Sequence, residues 1–143
     1  MEEDLLNLVE YPDLKVALIL IPKRLKNYFW HALNKHTYFS EEELFYSQTE
    51  SKEELSLFID QRASKDFLHD EVNIIYNYRL IQIYEQNSGI ENIGIAKKIS
   101  SVFADNKISI IYINTFNNNF ILIPESNYEQ ALKTLLKTNF IKN

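Results

Sequence analysis

The same order of secondary structure is predicted twice along this chain, and this repeat restricts the fold more than any other sequence feature. Each half reads as strand, helix, strand, strand, helix, followed by a further strand. The strand pattern at 55–59 returns at 119–123, about 64 residues later. Two copies are too few for a solenoid. We therefore expect an α+β fold of two ferredoxin-like βαββαβ units packed in tandem.

The first copy is predicted to begin after an acidic N-terminal segment, residues 1–13, that frays. Leu25, Phe29 and Leu33 recur at four-residue spacing, which predicts a helix over residues 23–35. The other elements are predicted from apolar runs or two-residue alternation. They are a strand at 14–21, hairpin strands at 42–48 and 53–60 with a polar turn at 49–52, and a short helical segment at 61–68.

The second copy is predicted to begin inside a long apolar run, residues 72–84, which exceeds the length of an average strand. We interpret this run as two strands that meet near Asn77, which divides the chain into units 1–76 and 77–143. A helix over 93–105 is expected, with Asn92 as its cap. The later elements follow from the same patterns. They are strands at 108–114 and 120–123 around an asparagine-rich turn, a helix opened by the capping box at 126–129, and a short strand at 140–141.

Charge and composition exclude several classes of function. The chain has 143 residues and a net charge of −5, whereas nucleic acids and anionic membranes require a basic surface. It contains no cysteine, which excludes thiol catalysis and cysteine-based metal sites. The longest apolar run, Val16 to Ile21, is too short to span a bilayer. We expect a cytoplasmic protein without a cofactor, and we find no pattern of catalytic residues.

The remaining candidate motifs favour ordinary structural roles. His31 and His36 lie five residues apart, not the four that place two rings on one helix face, so a metal site is not predicted. The basic cluster at 23–26 is interpreted as a solvated face. The aromatic residues are assigned mostly to the core or to packing between units, and an exposed patch of them would indicate a protein interface.

Three segments of the second copy together resemble a known family. They are 94–99 (GIAKKI), 108–116 (ISIIYINTF) and 120–125 (FILIPE). In order and spacing they are similar to the second ACT unit of the CASTOR-like amino-acid sensors and of small bacterial tandem-ACT proteins. The segments at 43–50 and 55–60 resemble the first-unit hairpin of that family. The resemblance therefore covers most of the chain, from about residue 14 to residue 136.

The resemblance implies regulation through an amino acid bound at a seam between units. By position, Ser109 and Ile110 match residues that meet the ligand's carboxylate and amine. The other matching positions belong to a glycine loop and to the hairpin turn: Asn92, Gly94, Ile95, Thr115, Phe116 and Asn119. The turn also matches the partner-docking surface of the sensors, here Phe116, Asn117 and Asn119. The implied partner is a GATOR-like complex of the TOR nutrient pathway.

The chain departs from that family in length and in charge. The sensors have four ACT units, so a comparable seam here would require a homodimer or another chain. Asn92 and Asn119 stand where an arginine site carries acids, which favours a neutral or polar amino acid, or no ligand. Gly94 is interpreted either as room for a ligand beside a helix N-terminus or as room for tight packing. The alternatives are a ligand-free scaffold subunit and, less favoured by the acidic charge, an RNA-recognition module.

Overall fold

The computed structural model describes residues 6–42, 45–84 and 94–142. Strands and helices alternate in an α+β arrangement. The strands are β1 Leu6–Glu10, β2 Val16–Pro22, β3 Tyr46–Glu50, β4 Glu54–Asp60, β5 Asn73–Tyr84, β6 Ile111–Asn114, β7 Asn119–Pro124 and β8 Ile141–Lys142. The α-helices are α1 Trp30–Thr37, α2 Ile95–Asp105 and α3 Glu125–Leu136, and two 3-10 helices span Lys23–Leu25 and Gln61–Phe67. None of the described helices is long and apolar enough to cross a membrane.

The chain forms two compact units, which we call the middle unit and the terminal unit. The middle unit is Asp13–Tyr78, and the terminal unit is Met1–Pro12 with Arg79–Asn143. The sequence-based division at 76/77 falls two residues before this boundary, but it assigns residues 1–12 to the first unit. In the structure these residues group with the terminal unit because β1 pairs with the second half of β5.

The middle unit has the strand order β3-β4-β2-β5, with every neighbouring pair antiparallel. Its sheet buries one face, because alternate residues of β2 and β4 point to the same side. These residues form a core with Phe29 and Leu33 from the α1 region and Phe67 from the second 3-10 helix. The sheet contribution to this core is Ala17, Ile19, Ile21, Leu55, Leu57 and Ile59. A 3-10 helix thus stands where the second α-helix of a βαββαβ unit is expected.

The terminal unit has the strand order β6-β7-β5-β1-β8. β1 runs antiparallel to β5, with Leu8 opposite Ile83, and β8 runs parallel to β1. The prediction that residues 1–13 fray is therefore wrong for the described part of that segment. Helices α2 and α3 cover the sheet, and their buried side chains, including Ile99, Phe103 and Leu135, form one core with the strands. The predicted α+β fold of two ferredoxin-like units is confirmed.

The long apolar run was predicted to contain two strands, but it forms one continuous strand, β5. β5 is nevertheless irregular near Asn77, where the two strands were expected to meet. Asn77 has a φ of 65°, and the pairing of β5 with β2 shifts register between Val16 and Leu18. The side chain of Gln61 forms two hydrogen bonds with Asn77. Its Oε1 accepts from the Asn77 N–H at 2.7 Å, and its Nε2 donates to Asn77 Oδ1 at 3.1 Å. A left-handed asparagine thus separates the two halves of β5.

Two helix starts differ from the prediction. The helix expected over 23–35 is a short 3-10 helix followed by α1, which begins at Trp30 and ends at Thr37. The capping box expected at 126–129 does not form, because α3 begins at Glu125 directly after β7 and no side chain caps it. Ser126 lies inside the first turn of the helix. A strand that runs straight into a helix leaves no extended residue at Ser126 to act as the cap.

Candidate functional site

A groove of about 360 Å³ lies in the middle unit between α1 and the edge strand β3. Its volume is within the range of small-molecule sites. Nine residues line it: Lys26, Asn27, Trp30, Leu33, Asn34, Thr37, Tyr38, Tyr46 and Gln48. Four of them lie on one face of α1, where residues three and four apart are neighbours, and Tyr46 and Gln48 belong to β3. The groove is therefore built by two adjacent elements of one unit.

The groove combines aromatic rings with polar groups that can hydrogen-bond. The rings of Trp30 and Tyr38 are 58% and 79% exposed, while Leu33 is buried. The amide Nδ2 of Asn34 donates to the Trp30 carbonyl at 2.7 Å, which leaves Asn34 Oδ1 facing no protein donor in the described part of the chain. The hydroxyl of Tyr46 donates to Gln48 Oε1. Burial, with a smaller effect from Tyr38, raises the pKa of Tyr46 to about 12, so this hydroxyl stays protonated at neutral pH.

Ion pairs connect the charged side chains at the rim of the groove. The Glu50 carboxylate forms ion pairs with Lys23 Nζ, at 2.7 Å, and with Lys26 Nζ, at 2.6 Å. Hydrogen bonds from Lys23 and then Lys26 lower the pKa of Glu50 from 4.5 to about 2. The basic cluster at 23–26 was interpreted as a solvated face, and the structure adds ion pairs to that interpretation. Arg24, from the same cluster, pairs with Glu71.

We expect the Glu50→Gln variant to lose a pH-dependent part of the stability. A carboxyl whose folded pKa is depressed stabilises the fold above its ordinary pKa of 4.5, and this contribution is lost as the pH falls towards 2. The stability difference between the wild type and Glu50→Gln should therefore shrink over this interval in urea titrations. Glu129→Gln is the control, because Glu129 forms no ion pair within the described residues. An unchanged difference at all pH values would contradict the prediction.

The residues predicted from sequence lie in the terminal unit. Gly94 precedes α2 with a φ of 93°, and a Cβ placed on it would meet no atom within 4 Å. Glycine is therefore required at position 94 by the backbone conformation and not by tight packing. The side chain of Ile95 is buried in the core of the terminal unit. Asn92 lies outside the described residues.

The predicted hairpin turn forms between β6 and β7. Thr115 N–H donates to the Asn118 carbonyl at 2.9 Å, and the tip residues Phe116 and Asn117 are exposed. The amide of Asn119 is held inside the sheet, because its Oδ1 accepts from Tyr112 Oη at 2.5 Å and its Nδ2 donates to the Ile83 carbonyl at 3.1 Å. Asn119 thus has a structural role that sequence patterns did not indicate.

Ser109 and Ile110 lie at the other end of the same hairpin. They precede β6, whose first residue, Ile111, pairs with Leu122, whereas Asn114 at its far end pairs with Asn119. A strand rises about 3.3 Å per residue, so Ser109 and Thr115 are separated by roughly 20 Å along the chain. Ser109 is exposed, and Ile110 packs against the core. Along this hairpin, the predicted site residues therefore lie in two groups, one at each end.

The groove was missed because the aromatic residues of the α1 region were assigned to the core. Phe29 and Phe45 are indeed buried, but Trp30, Tyr38 and Phe39 are largely exposed. A spacing signal was available, since Trp30, Asn34 and Tyr38 recur every four residues and share one side of a helix. What the sequence could not show is that this side lies beside an edge strand.

The histidine of the pair most similar to a catalytic dyad is buried. His36 Nε2 lies 2.7 Å from Asp66 Oδ2, but only 7% of His36 is exposed and the Phe67 ring lies 5.9 Å away. Lys35 also contacts Asp66, at 3.0 Å. In the described part of the chain no group of three histidine or acidic side chains could hold a metal ion. This arrangement resembles a structural network more than a reactive centre.

The order of elements from β5 to α3 is the βαββα portion of a ferredoxin-like unit. Residues 73–137 match the ACT domain. This region contains all of β5 and ends directly after α3. The resemblance of the second copy to ACT units, based on the sequence, is thereby confirmed at the level of the domain. No curated protein sequence matches the chain.

Solved structures with the same fold cover nearly the whole chain. Protein Atu0741 of Agrobacterium tumefaciens is 15% identical, with a TM-score of 0.65 over 95% of this chain and 89% of that one. The regulatory subunit of aspartate kinase from Thermus thermophilus is 13% identical, with a TM-score of 0.63 over 94% and 96%. The aspartate kinase of Clostridium acetobutylicum, an allosteric enzyme, is 15% identical, with a TM-score of 0.64 over 95% of this chain but only 35% of the enzyme. At these identities the similarity shows the fold alone, and the ACT-domain match is confined to residues 73–137.

Proposed function

We propose that this chain is a non-catalytic regulatory protein that binds a small, neutral amino-acid-like ligand. The observation that carries the proposal is the groove beside α1. It contains both exposed aromatic rings and hydrogen-bonding groups, and its volume suits such a ligand. The ACT-domain match and the aspartate kinase regulatory subunit among the similar structures support a regulatory role.

The groove offers a partner for each part of an amino acid. Lys26 Nζ at the rim would attract the α-carboxylate, although Glu50 competes for it. The Oδ1 of Asn34 would accept from the α-ammonium, and Trp30 and Tyr38 would cover an apolar side chain. The rim carries Glu50 paired to two lysines, so among the described residues of the rim no carboxylate is left to hold a second positive charge. This arrangement favours a neutral ligand over arginine or lysine.

The ligand is expected to raise the melting temperature of the protein. Binding to the folded state alone stabilises it by about 2.7 kcal/mol at one hundred times the dissociation constant. A thermal-shift screen of the common amino acids at millimolar concentration measures this directly, and titration calorimetry gives the affinity. Trp30→Ala should weaken the affinity at least about tenfold, since it removes a large contact surface.

Two variants in the terminal unit distinguish the groove from the site predicted by sequence. Phe116→Ala removes an aromatic ring about as exposed as that of Trp30, 67% against 58%, and should leave the affinity unchanged. Ser109→Trp should also leave it unchanged if the groove is the site. Loss of binding in Ser109→Trp with normal binding in Trp30→Ala would move the site to the terminal unit. Absence of a shift for every amino acid would favour the ligand-free scaffold.

Protein docking is a second proposed function, supported by the exposed aromatic residues of the α1 region. Tyr28, Trp30, Tyr38 and Phe39 are each more than half exposed, which is unusual for large rings and typical of interface residues. A role in TOR-pathway nutrient signalling through a GATOR-like partner, and docking by Phe116, Asn117 and Asn119, stay predictions from the family resemblance. Assembly into a homodimer or hetero-oligomer belongs to the same proposal.

A further inference from the structure

The arginines of this chain are Arg24, Arg62 and Arg79, and they differ in their partners. Arg24 binds both carboxylate oxygens of Glu71, and Arg62 Nη2 lies 2.7 Å from Asp60 Oδ2. Arg79 forms no ion pair with any carboxylate in the described part of the chain. An unpaired arginine is unusual where the side chain is partly buried, because burial removes the water that would otherwise solvate the charge.

The guanidinium of Arg79 packs on an aromatic ring and has no acceptor among the residues that the structure describes. Its central carbon lies 4.2 Å from the centroid of the Tyr128 ring, a cation–π contact. The Nε atom is buried and has no hydrogen-bond partner. Buried polar groups of native proteins almost always have such a partner, so the unpaired Nε makes Arg79 an unusual side chain. Neither Nη group has a hydrogen-bond partner among the described residues, and neither is a fully buried unpaired atom, so both Nη groups keep contact with solvent.

The Tyr128 ring beneath Arg79 is itself held by a hydrogen bond to an acidic side chain. Tyr128 is 4% exposed, and its hydroxyl donates to Glu10 Oε1 at 2.5 Å. Burial, with a smaller effect from Glu10, raises the pKa of Tyr128, so the hydroxyl keeps its proton at neutral pH. Glu10 is thereby engaged by Tyr128 and forms no ion pair with Arg79. Tyr128 is the fourth residue of α3, so Arg79 lies beside the first turn of that helix.

We propose that Arg79 is the anchor of a carboxylate-binding site in the terminal unit. The accessible Nη groups can donate two parallel hydrogen bonds to a carboxylate, which is the preferred geometry of this pair. A monoanion is favoured over phosphate because Glu10 and Glu129 act electrostatically on the adjacent Tyr128, and their repulsion grows with the charge of the ligand. The site shares no residue with the groove of the middle unit and does not rest on amino-acid binding there.

The three arginines allow an experiment with internal controls. Each contributes one Nε–Hε resonance to an arginine-selective ¹⁵N–¹H spectrum of the full chain. Sodium acetate, inorganic phosphate and sodium chloride are titrated separately at matched ionic strength. We expect the Arg79 resonance to shift and saturate with acetate, while those of Arg24 and Arg62 stay in place. Equal shifts for all three arginines, no saturation, or tighter binding of phosphate than of acetate would each overturn the proposal.

A conservative variant distinguishes the effect of the two parallel hydrogen bonds from the effect of the positive charge. Arg79→Lys keeps the positive charge but cannot form two parallel hydrogen bonds. The acetate affinity, read from the backbone amide resonance of Tyr128, should fall at least tenfold. Arg62→Lys is the matched control, because its arginine already binds Asp60, and it should leave the affinity unchanged. Equal acetate binding by Arg79→Lys and the wild type would show that Arg79 contributes only charge, which contradicts the proposed site.

Discussion

Replacing Phe103 by alanine is expected to lower the free energy of unfolding of the terminal unit by about 3–5 kcal/mol. Phe103 is completely buried in α2, within the core of that unit. The cost has two parts, the lost transfer of the ring out of water and the cavity that remains. The backbone near it is also fixed, since the Phe103 carbonyl accepts from Ile108 N–H at 2.9 Å, which limits collapse of the cavity.

Urea unfolding of Phe103→Ala, followed by circular dichroism, measures this change as a lower midpoint with an unchanged slope. Phe116→Ala is the matched control, because it removes the same ring from a position that is 67% exposed. Surface substitutions of this kind usually change stability by less than about 0.5 kcal/mol. Similar midpoints for the two variants would contradict the placement of Phe103 in the core.

Elements with a strong local pattern were predicted closely from sequence. β4, expected at 53–60, spans Glu54–Asp60, and its alternating leucine and isoleucine residues face the core. The helix expected over 93–105 is described from Ile95 to Asp105. In both cases the periodic burial of side chains decides the structure, and the sequence carries that period directly.

Elements that depend on distant partners were predicted poorly. β1 exists because it pairs with β5, more than seventy residues away in the chain, and its own sequence is short and contains an asparagine. The start of α3 was misplaced because a strand precedes it without a turn. Neither feature can be derived from the residues within one window, since the deciding contact lies outside it.

The candidate site shows the same division between local and distant information. The hairpin around Phe116 forms as predicted and has no positive φ at its asparagines, whereas Asn77 in β5 has a φ of 65°. The groove depends on the exposed position of Trp30, and that depends on which strand lies at the sheet edge. That Arg79 has no acidic partner among the described residues is evident only from the structure. Arg24 pairs with the distant Glu71 and Arg62 with the nearby Asp60, so no common spacing in the sequence marks a paired arginine.

Replacing Phe67 by alanine is expected to destabilise the middle unit by about 3–5 kcal/mol. Phe67 is the last residue of the second 3-10 helix and is completely buried, with the Phe29 ring 5.7 Å away and the His36 ring 5.9 Å away. Aromatic pairs of this kind add about 0.5–1.5 kcal/mol to the effect of burial. The loss can be measured by urea unfolding or by hydrogen exchange of the buried amides of β4.

The adjacent residue provides the control for Phe67 and tests what holds this helix together. Leu68 is 63% exposed, so Leu68→Ala should change stability by less than about 0.5 kcal/mol. A 3-10 helix of seven residues is longer than is usual for its weak hydrogen-bond geometry. One end is fixed by Asp60, whose carboxylate accepts from the Arg62 N–H at 2.9 Å, and the other end is fixed by Phe67. If packing and not propensity maintains the helix, Phe67→Ala should also increase amide exchange at Ala63 and Ser64, whereas Leu68→Ala should not.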